Sequence, residues 1–157
     1  MKKPVSPDPV IIAEKIRYFC SYRERSTREV ELKLAGLHYP KSRIPALLQE
    51  LETEGYLDSG RFARTFARGK FHVNKWGKRK IVNEMKARGV PETMIRQGLE
   101  EIGAEEYRDT LRDLLIRKAY EIKPGKNLKK REKVINFALG KGFETSLILE
   151  ILKELNI

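Results

Sequence analysis

Between residues 61 and 88 the chain carries Arg61, Arg64, Arg68, Lys70, Lys75, Lys78, Arg79, Lys80, Lys86 and Arg88 against a single acid, Glu84. Guanidinium and ammonium groups at that density attract phosphates or carboxylates and steer association toward polyanions. A purely solvated helix face usually mixes its charges, so this run points to a nucleic acid or an acidic protein surface as ligand. Steps of three and four residues place Arg61, Arg64 and Arg68 on one side of a helix, where they would share a partner. Lys78, Arg79 and Lys80 cannot all point the same way. At a helix start, however, they can surround an anion that approaches the exposed amides.

Other chemistry is sparse. Two histidines, His38 and His72, and one cysteine, Cys20, are too few for the usual metal sites and lack ligand partners at a recognised spacing. No phosphate-binding glycine loop, dinucleotide fingerprint or nucleophile elbow is present. Acidic groups such as Glu50, Glu52 and Glu54, or Glu100 and Glu101, read as solvated helix surface. The expectation is a protein without catalytic residues, metal or cofactor. Cys20 follows Tyr18 and Phe19 in an apolar setting and reads as a small buried hydrophobe. Trp76, before a glycine-opened helix, reads as a packing anchor in preference to a base-stacking platform. Tyr56 and Leu57, flanked by Gly55 and Asp58, suit packing at a bend, with Asp58 as a helix cap.

These residues must be positioned by helices. Apolar residues spaced three and four apart run through most of the chain, and no stretch alternates long enough to argue a sheet. One helical pattern occurs three times. Val30, Leu34, Ile44 and Leu48 recur 51 residues later as Ile81, Met85, Ile95 and Leu99, and 53 residues after that as Val134, Ala138, Ile148 and Leu152. Such repetition is the mark of stacked units that gain a core from their neighbours. Each copy reads as one long helix followed by a shorter pair. In the first copy these are Pro9–Glu24, Thr27–Leu37 and Lys41–Glu54. In the second, Asp58 caps a helix through Phe62, Phe66 and Lys70, and Gly77 opens Lys78–Arg88. The third has Glu105–Glu121, a break at Pro124 and Gly125, then Leu128–Leu139 and Glu144–Leu155.

Ser26 and Glu29 form a capping box for the second helix. Gly89 and Gly142 stand where the chain needs a left-handed residue to leave a helix. Pro40 and Pro91 follow at the first position of the next helix, with Glu144 at the equivalent place in the third copy. His38 stands where the glycines stand, which predicts a distorted or shifted first turn. The division that results is a flexible lead at 1–8 and three-helix repeats at 9–57, 58–103 and 104–157.

The chain has 157 residues, 35% of them charged, and a net charge of +11. Basic and acidic residues give +2 over 1–57, +6 over 58–103 and +3 over 104–157. The excess is concentrated in the middle copy. No apolar run approaches the roughly 20 residues a membrane helix needs. The first residues lack the apolar core of a signal peptide, so a cytoplasmic protein is expected.

The segment Gly55, Tyr56, Leu57, Asp58, then Arg61, Phe62, Ala63, and the later Trp76, Gly77, Lys78, Arg79 with Ile81, Met85 and Gly89, resembles the RecX family, bacterial regulators of the RecA recombinase. Similarity runs from about Pro9 to Leu155 and is greatest in the middle copy. Ser59 and Gly60 depart from a pattern that is often more acidic there. The resemblance implies an all-α fold of three tandem three-helix repeats in an elongated, curved arrangement. It implies a non-enzymatic regulator of recombination, DNA repair and the SOS response; a monomer is expected. Such a protein would bind in the groove of the RecA filament on single-stranded DNA and would inhibit filament growth, ATP hydrolysis, strand exchange and co-protease activity. It would also bind single- and double-stranded DNA itself. A helix-turn-helix or winged-helix DNA-binding regulator, suggested by Ser26 to Leu57, is the alternative, although Glu50, Glu52 and Glu54 on its second helix would repel phosphates.

Overall fold

A computed structural model describes residues 8–123 and 129–157. The described residues form α-helices and connecting turns: α1 (Pro9–Tyr22), α2 (Thr27–Gly36), α3 (Ile44–Thr53), α4 (Ser59–His72), α5 (Lys78–Ala87), α6 (Glu92–Leu99), α7 (Ala104–Glu121), α8 (Lys130–Lys141) and α9 (Thr145–Glu154), with a short 3-10 turn at Lys41–Arg43 before α3. The expectations placed on residues 1–7, on the break at Pro124 and Gly125 and on a helix start at Leu128 lie outside the described residues. The extensive helix pairings all fall within a triplet, α1–α3, α4–α6 or α7–α9.

Local chemistry explains most boundaries. Asp8 and Asp58 cap α1 and α4, their carboxylates accepting from the Val10 and Arg61 amides at 2.9 Å. Ser26 and Glu29 close the capping box at α2, satisfying orphan donors of the first turn. The third helix of the first triplet differs from the sequence expectation. Its first residues wind as the 3-10 turn, and the α-helix begins at Ile44 with Pro45 in its first turn, where a missing N–H costs nothing. Pro91 and Glu144 also stand one position earlier than expected, as N-caps of α6 and α9.

Gly89 (φ 74°) and Gly142 (φ 99°) take the left-handed turn. His38 does so too, at φ 60°. The first turn is therefore neither distorted nor shifted: the Tyr39 amide donates to the Leu34 carbonyl, as the Val90 and Phe143 amides donate to those of Met85 and Ala138. The repeat holds its geometry despite a Cβ clash worth roughly 1–2 kcal/mol.

The interior is divided unequally. Ile12, Ile16, Cys20, Val30, Leu34, Leu47, Leu51 and Leu57 form a core confined to the first triplet. Burial pushes the Cys20 thiol above its usual range, which keeps it neutral. The second and third triplets share one continuous core, in which Phe71, Ile81 and Met85 are joined to Leu111, Leu115, Phe143 and Ile148. Tyr107 bridges them, its ring 5.8 Å from Phe71 and 5.1 Å from Phe143.

Candidate polyanion-binding face

α4 buries Gly60, Phe62, Ala63, Ala67 and Phe71. Its close neighbour is α6, where Gly98 permits approach: a Cβ there would lie 2.7 Å from the Ala63 carbonyl oxygen. With that side fixed, the basic residues of α4 point away from the core, each into a different setting. Arg61 is a strut. Its guanidinium pairs with Glu24, in the turn between α1 and α2 of the first triplet, and donates to the Gly55 carbonyl at 3.0 Å. Arg68 is half exposed and reaches only to 4.0 Å from Glu101. Arg64 lies against Gly60 and has no ion-pair partner among the described residues. The three arginines thus occupy one helix but do not offer one equivalent surface.

A tighter cluster lies beyond them. Phe66 stacks on Phe62 at 5.5 Å and meets Trp76 edge-on at 6.4 Å. The Lys70 ammonium stands 4.8 Å from the Trp76 ring and 5.5 Å from Phe66. Lys80 stands 4.5 Å from Trp76, and the Arg88 guanidinium 4.9 Å from Phe66. Trp76 is half-buried, packed against the shared core. It anchors the turn, stays partly exposed and carries cations over its ring. Such an arrangement offers charge to a phosphate and π surface to a base. A cleft of about 300 Å³ opens beside it, lined by Phe62, Thr65, Phe66, Lys70 and Arg88 from the second triplet and Arg23, Glu24 and Glu29 from the first.

Lys75, at φ 57°, takes the left-handed conformation that turns the chain from α4 toward Trp76, and its side chain is exposed at the other side of that turn with Arg117 and Asp113. Arg79 is exposed, and with Lys80 it lines a second cleft of about 510 Å³ against Gly140, Gly142 and Phe143. Lys141 lies nearby and donates to the Asn74 carbonyl at 2.7 Å. Burial, followed by the Lys80 charge, lowers its pKa.

The start of α5 corrects one expectation. The amides of Gly77, Lys78 and Arg79 are not open to an anion, because they donate to Lys141 O at 2.7 Å, Tyr107 Oη at 2.9 Å and Gly142 O at 3.0 Å. The third triplet caps this helix. Gly77 is required there: a Cβ would fall inside the backbone of Gly142 and Phe143. The Tyr107 hydroxyl passes its proton into a hydrogen bond with Glu144 at 2.9 Å. Burial first, and the neighbouring carboxylate after it, raise the Tyr107 pKa and keep the phenol protonated. Lys78 lies over its ring at 4.8 Å.

The remaining motif residues are structural. Gly55 turns at φ 81°, Tyr56 and Leu57 close the first core, and Gly89 ends α5.

Two family models match this chain, the second three-helix domain of RecX over residues 58–99 and the third over 105–152. Together they cover more than half of it. The chain belongs to the RecX family. Curated relatives named "Regulatory protein RecX" include one from Oceanobacillus iheyensis, 24% identical over 139 residues that make up 88% of this chain and 51% of that protein. Another, from Mycobacterium sp. (strain JLS), is 27% identical over 82% of this chain and 73% of its own length. The chain thus spans about half the length of the Oceanobacillus relative. Among solved structures, a regulatory protein RecX superimposes with a TM-score of 0.85 at 17% identity, covering 98% of this chain and 83% of that one. RecX from Lactobacillus salivarius gives 0.84 at 20% identity, covering 97% and 99%. This RecX-family chain therefore has the all-α fold of tandem three-helix units.

Two features of the site escaped the reading of sequence. Arg88 joins the aromatic cluster although 22 positions separate it from Phe66 in the chain. Arg61 leaves the free basic set because its acid, Glu24, comes from the preceding repeat. Neither leaves a trace in composition, since Glu24 stands between Arg23 and Arg25 just after α1.

Proposed function

We propose that this chain is a non-enzymatic regulator that binds a RecA-type recombinase filament on single-stranded DNA and inhibits its growth and activities, acting as a cytoplasmic monomer. Family membership and the regulatory name of its relatives support the role. The observation that carries the contact is the ring–cation cluster of Phe66, Trp76, Lys70, Lys80 and Arg88, in a half-exposed part of the repeat with the largest positive excess. Arg64, Arg68, Lys75, Lys78 and Arg79 extend the positive field around it, while Arg61 maintains the orientation of the first repeat. A filament offers both phosphates and acidic protein surface to such a face, and a row of three units has the length to reach more than one protomer.

The helix-turn-helix alternative has less support. Glu50 on α3 and Glu54 at its C-terminal cap face Arg17 of α1 at 3.7 and 2.8 Å, so the helix that would read bases presents an acidic, already paired edge. Purified protein added to RecA filaments on single-stranded DNA should reduce ATP hydrolysis and filament length at near-stoichiometric ratios. Hydrolysis and length unchanged at those ratios would contradict the proposal.

A further inference from the structure

The groove between the first two helices recurs in each triplet with a ring and a cation facing one another. Ile16, Ala67 and Leu115 are buried at the same turn of α1, α4 and α7, and three residues on stand Phe19, Lys70 and Lys118. On the second helix the offsets of 51 and 53 residues align Lys33, Glu84 and Phe137. In the first triplet the Lys33 ammonium lies 5.6 Å from the Phe19 ring. In the third, Lys118 lies 5.0 Å from Phe137. The same two positions hold the pair, with ring and lysine exchanged between helices. In the second, Glu84 is taken by Arg88 at 2.8 Å, and Arg88 and Lys70 flank the Phe66 ring one turn earlier.

The first groove, with about 460 Å³ of space, is the richest of them in aromatic side chains. Tyr18 and Tyr22, four residues apart on α1, are 72% and 75% exposed beside Phe19, with Lys15 and Lys33 at the edges. Arg25 packs over the Phe19 ring at 3.7 Å and donates to the Phe19 carbonyl, which fixes the ring. Among the described residues, no carboxylate lines this groove. The groove of the third triplet, about 730 Å³, is likewise lined by Lys118, Lys123 and Lys133, with Glu121 3.9 Å from the Lys118 ammonium at its edge.

We propose that these grooves are stations for unstacked nucleotides of a single strand, with the tyrosines of the first triplet as its main stacking platform. Bases stack on aromatic faces while lysines meet the adjacent phosphates, and this mode tolerates any sequence. The exchange of ring and lysine preserves a chemistry while changing the residues that supply it. A protein epitope fits one groove, whereas a polynucleotide is itself a repeat of ring and anion and suits recurrent grooves. The inference rests on the reading that this chain meets single-stranded DNA. It extends that reading from the basic middle repeat to the outer two and from charge to stacking.

The test uses the full chain and free DNA, without recombinase: oligothymidylate, and a hairpin duplex with the same number of phosphates. Tyr18→Ala/Tyr22→Ala should weaken binding to oligothymidylate about tenfold, leave duplex binding unchanged, and leave the melting curve unchanged because both side chains are exposed. Tyr18→Phe/Tyr22→Phe should retain single-strand binding. Phe137→Leu should give a smaller loss with the same single-strand selectivity. Equal affinity of the alanine variant and the unmodified protein for oligothymidylate would overturn the proposal, as would equal losses on single strand and duplex. Unchanged DNA binding with lost action on RecA filaments would also overturn it and make the groove a protein-docking surface. If the unmodified chain has no effect on RecA filaments but its single-strand binding depends on the tyrosines, the regulatory reading fails and the stations stand.

Discussion

The two joints of this molecule use equivalent positions and different chemistry. Where the second triplet meets the third, Gly77 and Gly142 bring two backbones into hydrogen-bond contact, Lys78 N–H donates to Tyr107 Oη, and the phenol reaches Glu144. Where the first meets the second, Ser26 stands in place of Gly77, and Thr27 and Ser59 stand in place of Lys78 and Tyr107. Their hydroxyls lie 3.5 Å apart. Arg28 spans the remaining gap, donating to the Ala87 carbonyl at 2.7 Å, and Arg61 adds its bridge to Glu24. Glycine and a buried aromatic residue give one joint a core continuous across it. Serine, threonine and arginine give the other a polar seam, so the first triplet keeps a core of its own. The lesson is that a repeat sets where neighbours touch, and single residues at those points decide how firmly they hold.

Substitutions at matched positions break or sharpen this contrast. Gly77→Ala should have the largest effect, at least about 3 kcal/mol, because no side-chain movement can clear a Cβ from the Gly142 backbone; a thermal melt checks it. Ser26→Ala, at the equivalent place, should cost only about 1 kcal/mol through the lost capping box. Equal losses at the two sites would erase the distinction between the joints. Tyr107→Phe should follow at about 1–3 kcal/mol, since it leaves the Lys78 amide and the Glu144 carboxylate without their shared partner. Denaturant unfolding followed in the Tyr107→Phe and Glu144→Gln variants would show whether the three groups act together.

Trp76→Ala should cost about 1–3 kcal/mol, less than the loss at a fully enclosed tryptophan, because part of its surface is already wet. A loss of 5 kcal/mol or more would mean that the ring is a core residue and not a contact surface. Arg28→Ala should have the smallest effect on global stability, no more than about 1 kcal/mol. Hydrogen exchange should nonetheless rise at the turn between α1 and α2 while α5 and α8 keep their protection, because local opening follows the weaker seam.

Much of this was legible in the residues. The constant offsets located the three triplets, and Ser26, Asp58, Gly89 and Gly142 marked helix ends because capping and left-handed turns depend on local chemistry. The repeat pattern predicts α-helix from Lys41, whereas Pro45, which an α-helix tolerates only in its first turn, fixes the start of α3 at Ile44 and leaves a 3-10 turn before it. The joints were hidden because the partners of Gly77 lie at 141 and 142, and a glycine reads the same whether it turns freely or admits a second backbone. The candidate site was half legible. Charge density pointed to the middle repeat, but helical spacing alone could not separate Arg61, committed to Glu24, from Lys70, Lys80 and Arg88, gathered on two aromatic rings. In the first repeat, spacing places Tyr18 and Tyr22 as neighbours on a helix face, but the groove beside them depends on Lys33 of α2, which spacing along α1 does not reveal.

On the proposed reading, the ring–cation cluster of the second triplet makes the regulatory contact while Arg61 holds the frame. ATP hydrolysis by RecA filaments on single-stranded DNA, measured against increasing Lys70→Ala/Lys80→Ala/Arg88→Ala protein and against the unmodified chain, tests it most directly. The unmodified chain should suppress hydrolysis, and the triple variant, with its helical signal and melting temperature little changed, should need at least about tenfold more protein for the same suppression. Equal suppression by both proteins would contradict the claim.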